Sequence, residues 1–126
     1  MSIIIAEGLY YEFAKSTPVL KDVNLHVPES VVYGFLGPNG AGKTTTLRLL
    51  LGLLKIQKGS VRIFGDSFLQ NRIEVLKQTG TLIEQPSLYP HLTGYENLDV
   101  YRIIFGSAKS RIDEVLSLVK LDDAKR

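Results

Sequence analysis

Eight residues in the first half of the chain are spaced for phosphate chemistry: Gly37-Pro38-Asn39-Gly40-Ala41-Gly42-Lys43-Thr44. They match the pattern G-x-x-x-x-G-K-[ST] at every fixed position. Phosphate oxygens are anionic acceptors and need many donors at short range. Glycines at 37, 40 and 42 carry no Cβ, so backbone N–H groups of the loop can turn inward and approach an anion. Pro38, Asn39 and Ala41 complete the cradle. Lys43 brings a point charge to the β and γ phosphates of a nucleoside triphosphate. Thr44 offers a hydroxyl to Mg²⁺, and Thr45 reaches a further phosphate. The competing reading is a chance glycine-rich turn, and the flanking elements argue against it.

Those elements must position the loop. Val31-Val32-Tyr33-Gly34-Phe35-Leu36 is a short, nearly continuous apolar run, expected as a buried parallel strand that ends at the loop. Leu47, Leu50, Leu51 and Leu54 follow at i, i+3, i+4, i+7, one face of a helix. Leu49 and Leu53 lie off that stripe and predict burial on more than one side. The free N–H groups and dipole of such a helix favour anions at its N-terminus.

The chain before the loop reads as strands: Ile3-Ile4-Ile5 and Leu9 to Phe13, a turn over Lys15-Ser16-Thr17-Pro18, then a half-buried antiparallel strand. In that strand Val23, Leu25 and Val27 alternate with Asp22, Asn24 and His26, which places His26 in solvent. After the helix, Gly52 marks a close-packing point or the helix end. Lys58-Gly59 turns into a strand over Val61 to Phe64. Asn71 with Glu74 predicts the cap of a short helix through Lys77. Thr79 to Ile83 predicts another strand.

Beyond Glu84 the pattern changes. Pro86 and Pro90 bracket a loop, and Thr93 with Glu96 forms a T-x-x-E capping box. The helix it opens carries Leu98, Tyr101, Ile104 and Phe105. Ser110 with Asp113 predicts a second box, ahead of a stripe of Ile112, Val115, Leu116 and Val119.

Composition narrows the function classes. A length of 126 residues suits one modest domain or part of a larger one. Lys and Arg number 15 against 13 Asp and Glu, a net charge of +2, and the basic residues are scattered, so no nucleic-acid partner is expected. The absence of cysteine excludes disulfides and thiolate metal sites. No apolar run approaches the ~20 residues of a membrane span. No secretory leader pattern opens the chain, which points to a cytosolic location, where ATP is available.

Four segments, in order, resemble the N-terminal half of an ABC transporter ATPase subunit. They are Val19 to Leu25, Leu36 to Thr45 (the family's Walker A form), Gly52 to Val61, and Leu82 to Pro86 with Leu92-Thr93 and Glu96-Asn97-Leu98. The last group resembles the Q-loop and the start of the helical subdomain, and the resemblance covers nearly all of the chain. It implies an α/β P-loop NTPase core with an antiparallel β portion over residues 1–85, and a loop with the start of a helical subdomain over 86–126. It implies ATP and Mg²⁺ as cofactors. In the family an early aromatic stacks on adenine, and Phe13 matches that position best, with Tyr11 as the alternative. The family usually has Gln where this chain has Glu84. That change resembles exporters protecting bacteria from lantibiotics and bacitracin-like peptides. Glu84 is then a metal ligand and γ-phosphate sensor, or Gln85 takes the role by a one-residue slip. With Lys43, Glu84 forms the catalytic set on this side of the site.

The resemblance further implies a dimer, in which a second ATP-binding subunit closes head to tail, and a transmembrane permease that contacts the loop of Tyr89, Pro90 and His91. The subunit would be cytoplasmic and peripheral on the inner face of the membrane. The family's signature motif, Walker B aspartate, catalytic glutamate and switch histidine are not found in these residues. Asp122-Asp123 lacks a preceding apolar strand. Such a chain is expected to be inactive alone, with an open slot beside the phosphate-loop strand. A soluble ABC-type ATPase of ribosomes or DNA is the alternative class, but no tandem domain or coiled-coil insertion appears.

Overall fold

A computed structural model describes residues 2–122. The contacts divide these residues into a first unit ending at Ile83 and a second beginning at Glu84.

The first unit is built on an antiparallel sheet in the order β2-β1-β3-β4. β1 (Ser2–Ala14) and β2 (Thr17–Pro28) form a long hairpin, with Ser16 at a positive φ of 70° in the turn. In β2 the expected alternation holds: Leu25 is buried, Val23 and Val27 are half-buried, and His26 is exposed. The β1–β2 register shifts between Ala6 and Leu9. Gly8 sits in this irregularity at φ 61°, and its N–H donates to Asn24 Oδ1 at 2.8 Å. β3 (Lys58–Ile63) pairs with the other edge of β1. Gly59 faces the same irregularity, where any Cβ would come within 2.5 Å of the Glu7 and Gly8 carbonyl oxygens. Phe64 and Gly65, at φ 56° and 84°, turn β3 into β4 (Asp66–Ser67), the two positive angles of a type I′ hairpin.

Two helices lie in this unit. α1 (Lys43–Leu50) follows the phosphate loop, and α2 (Phe68–Lys77) follows β4. The core joins Ala6, Leu9, Leu25, Val61 and Ile63 of the sheet to Leu50, Phe68 and Val75 of the helices. Burying each large apolar side chain of this kind stabilises the unit by about 1.5–3 kcal/mol before chain entropy is counted.

Several expectations need correction here. α1 ends at Leu50 rather than running through Leu54. Gly52, at φ 65°, closes it, and a Cβ there would meet the Phe68 ring. The face α1 buries is Thr45, Thr46, Leu49 and Leu50, while Leu47 and Leu53 are exposed. Asn71 is not a cap: α2 begins at Phe68, and Asn71 (φ −120°) kinks it. Most consequentially, Val31–Leu36 and Thr79–Ile83 are not strands. Among the described residues no strand pairs with either, so neither backbone has a ladder to complete. Phe35 packs against the core, but Leu36 is 92% exposed. Ile4, Leu50 and Ile63, with Thr79 to Ile83, line an apolar hollow of about 280 Å³.

The second unit carries α3 (Gly94–Phe105) and α4 (Ser110–Leu118). The Thr93–Glu96 capping box forms as expected. The Glu96 N–H donates to Thr93 Oγ1 at 3.2 Å, and the Thr93 N–H donates to Glu96 Oε2 at 2.7 Å. Gly106, at φ 65°, ends α3. The second box is not made: Ser110 is the first residue of α4, and Lys109, in helical conformation, precedes it. Asp123 and the residues after it lie outside the described residues. Among the described residues no helix is long and apolar enough to cross a membrane.

Candidate functional site

The phosphate loop sits between the run Val31–Leu36 and α1. Its conformation follows from two glycines. Gly40 and Gly42 take φ of 82° and 88°, the left-handed region that L side chains rarely adopt. A Cβ on Gly42 would also run into Leu20 Cδ2 of β2. Gly37 is different. Its φ is not positive, and a Cβ there would lie 3.4 Å from Ala41 Cβ, an ordinary contact. Of the three glycines, 40 and 42 shape the loop and 37 is the least constrained.

Gly42 is the N-cap of α1 and offers no side chain to its first N–H groups. Those donors stay open to an outside acceptor, with the positive end of the helix dipole behind them. The Thr46 N–H closes the first helical bond to Gly42 O at 2.8 Å, and Thr46 Oγ1 donates to the same oxygen at 3.0 Å. Ala41 N–H donates to Pro38 O at 3.2 Å, which folds the loop tip. Lys43 Nζ bridges back to Gly37 O at 2.6 Å and Pro38 O at 2.7 Å. The ammonium thus ties the two ends of the loop together.

A hollow of about 270 Å³ opens here, lined by Asn39, Gly40, Gly42, Lys43, Thr44 and Thr45, together with Val19 of β2. Thr44 is half-buried and Thr45 buried. The residues present suit a polyphosphate: helix N–H groups that no cap side chain takes, a positioned ammonium, and two left-handed glycines that shape the loop. The sequence reading missed Val19. No local signal names it, because its place at the hollow comes from β2 packing Leu20 and Val19 beside Gly42.

Phe13 stands near the end of β1, 63% exposed, with its ring edge-on to Tyr11 at 5.0 Å. The hairpin register sets Glu12 opposite Pro18, which brings Phe13 to the end of the hairpin that also carries Val19. On the other side of this strand end, Lys58 Nζ lies 4.8 Å over the Tyr10 ring, whose hydroxyl donates to Glu12. That carboxylate acceptor raises the Tyr10 pKa, with burial and the Glu12 charge adding to the shift.

Glu84 and Gln85 open the second unit, and both are exposed. Glu84 takes a positive φ of 62°, uncommon for a residue with a Cβ and a sign of a constrained turn.

The second unit holds one buried polar residue that the sequence reading placed without a role. Asn97 is 6% exposed, and its carboxamide is spent on the main chain of the preceding loop. Oδ1 accepts from the Tyr89 N–H at 2.8 Å, and Nδ2 lies 3.1, 3.2 and 3.0 Å from the carbonyl oxygens of Tyr89, Leu92 and Thr93. The signal for it was a polar residue one and two turns before Tyr101 and Ile104, on a stripe that is otherwise apolar.

Comparison with known proteins agrees with this geometry. A family model described as ABC transporter matches residues 20–126. The ABC transporter ATP-binding protein YhcH of Bacillus subtilis is 45% identical over 106 residues, 83% of this chain and 35% of its own. The bacitracin transport ATP-binding protein BcrA of Bacillus licheniformis is 43% identical over 122 residues, covering 96% of this chain and 40% of its own. The lantibiotic transport ATP-binding protein SrtF of Streptococcus pyogenes is 35% identical over 91% of this chain and 48% of its own. The chain therefore spans between about a third and a half of these relatives' length. A solved structure described as the ATP binding subunit of an ABC transporter superposes with a TM-score of 0.81. It is 25% identical, over 98% of this chain and 53% of that one.

Proposed function

We propose a function from one premise: this chain belongs to the ABC transporter family. It is the nucleotide-binding front of an ATP-binding subunit that couples ATP binding and hydrolysis to movement of a membrane permease. The observation that carries this reading is the phosphate loop. Its two left-handed glycines open the start of α1, and Lys43 is anchored across it. The α1 N–H groups and Lys43 would hold the β and γ phosphates. Thr44 and Glu84 would hold Mg²⁺, which when bound offsets phosphate charge. Phe13 would stack on adenine with Val19 beneath it. Two subunits close head to tail over the nucleotides and reopen after hydrolysis, from a position on the cytoplasmic face of the membrane. The relatives named for bacitracin and lantibiotic transport support an antimicrobial peptide as cargo.

The test is ATP affinity in the complete subunit. Lys43→Ala removes a charge-assisted contact worth about 1.5–3 kcal/mol, so affinity falls roughly tenfold to a hundredfold. An unchanged dissociation constant would remove the assignment. For the cargo, a strain lacking the subunit becomes more sensitive to bacitracin or a lantibiotic; equal sensitivity to both refutes the peptide reading.

A further inference from the structure

We infer that Asn97 is the positioning residue of the permease-facing loop, fixing the main chain of Tyr89–Thr93 so that the rings of Tyr89 and His91 stand outward before any partner arrives. This rests on the reading above that the loop meets the permease. The loop has no strand or helix of its own between Pro86 and Leu92. Its Leu92 N–H closes a turn onto Tyr89 O at 3.1 Å, and Tyr101 Oη donates to Ser87 O at 3.1 Å. Asn97 supplies the central support. A carboxamide accepts and donates at once, which is what the opposed Tyr89 N–H and the Tyr89 and Leu92 carbonyls require. A leucine of similar size would remove the Asn97 partner of the Tyr89 N–H and the Leu92 carbonyl and leave the Tyr89 carbonyl only its bond from the Leu92 N–H. An aspartate would keep the acceptor for the Tyr89 N–H but turn an anionic oxygen toward three carbonyl oxygens.

The outer side of the loop is the opposite in character. Leu88, Tyr89 and His91 are exposed, and the Tyr89 and His91 rings meet edge to face at 6.0 Å. Large aromatic side chains on a backbone already held in place lose little freedom on docking, the property that makes interface anchors effective. The Asn97 bonds to Tyr89 and Leu92 run to the loop, while only the Thr93 bond serves the start of its own helix.

The experiment measures binding of the full-length subunit to the permease of its own transporter, held in lipid nanodiscs. It compares wild type, Asn97→Asp, Tyr89→Ala and the double variant, with ATP binding by each free subunit as the check on folding. Tyr89→Ala weakens association roughly tenfold, as truncation of an aromatic anchor does. Asn97→Asp weakens it to a similar degree, and the double variant is no weaker than the worse single one, because both remove the same contact. Wild-type affinity in Asn97→Asp overturns the inference, as do losses that multiply in the double variant. Wild-type affinity in Tyr89→Ala overturns instead the placement of the permease on this loop, and the inference falls with it. If Asn97→Asp does not fold, hydrogen exchange in the wild-type subunit decides. The Tyr89 amide then exchanges at least tenfold more slowly than in an unstructured peptide, and exchange at the peptide rate overturns the inference.

Discussion

At the scale of single residues, the three loop glycines separate into two kinds, and this is measurable. Gly42 holds φ 88° against the Leu20 side chain, whereas a Cβ on Gly37 has room. Gly42→Ala therefore lowers ATP affinity far more than Gly37→Ala, and equal losses in a nucleotide titration would refute the ranking. Glu84 makes a second prediction. In the metal-ligand role proposed for Glu84, glutamate in place of the family's usual glutamine would keep an oxygen ligand and add a charge. A carboxylate binds the hard Mg²⁺ cation better than an amide does. It also repels the γ-phosphate, but a carboxylate on the metal has its charge largely offset, so the ligand effect wins. Glu84→Gln in the complete subunit keeps ATP hydrolysis and raises the Mg²⁺ concentration for half-maximal rate, and Glu84→Ala lowers the rate further. If Gln85→Ala is crippled while both Glu84 variants match the parent in a Mg²⁺ titration, Gln85 is the sensor.

At the scale of elements, the start of α3 titrates. The Glu96 carboxyl is held below its ordinary value of 4.5, first by the Thr93 backbone N–H and then by the Thr93 hydroxyl. A carboxylate depressed in the folded state contributes stability above its unfolded pKa and loses it as pH falls through the folded value. The first turn of α3 is thus intact at neutral pH and frays in acid, below the usual carboxylate range. NMR shifts of the Thr93 and Glu96 amides follow that transition, and Glu96→Gln, which keeps a capping partner, abolishes it. A transition unchanged in Glu96→Gln would assign it to another group. Elements whose signals are local were legible in sequence: the phosphate loop with its helix, the alternating strand β2, and the Thr93 box. Val31–Leu36 and Thr79–Ile83 were not, because strand structure belongs to a pair and a single segment's pattern does not contain its partner. Ser110 failed as a cap for a related reason. The T-x-x-E rule reads residue types, whereas Lys109 already has helical angles and moves the helix start by one residue. Asn97 stood out as a polar residue on an apolar stripe, but its role was hidden, since its partners are main-chain groups that carry no residue type.

At the scale of the whole molecule, the proposed function assigns these 126 residues one side of the catalytic machinery. The phosphate loop is expected to supply donors, and the groups that would orient water or cover the γ-phosphate are expected from elsewhere in the subunit. A polypeptide of residues 1–126 alone is expected to release phosphate no faster than its Lys43→Ala variant. The exposed apolar run at Val31–Leu36 adds that such a polypeptide unfolds without a cooperative thermal transition. A sharp calorimetric peak from the isolated monomer would refute this second expectation. The same unpaired run also sets a clock on the ribosome. It emerges early, and nothing made between Leu36 and Asp122 pairs with it. At the ~5–20 residues per second of synthesis, each further stretch of chain made before a partner strand arrives lengthens the time this sticky ribbon stays bare, and a chaperone is expected to keep neighbouring nascent chains apart meanwhile.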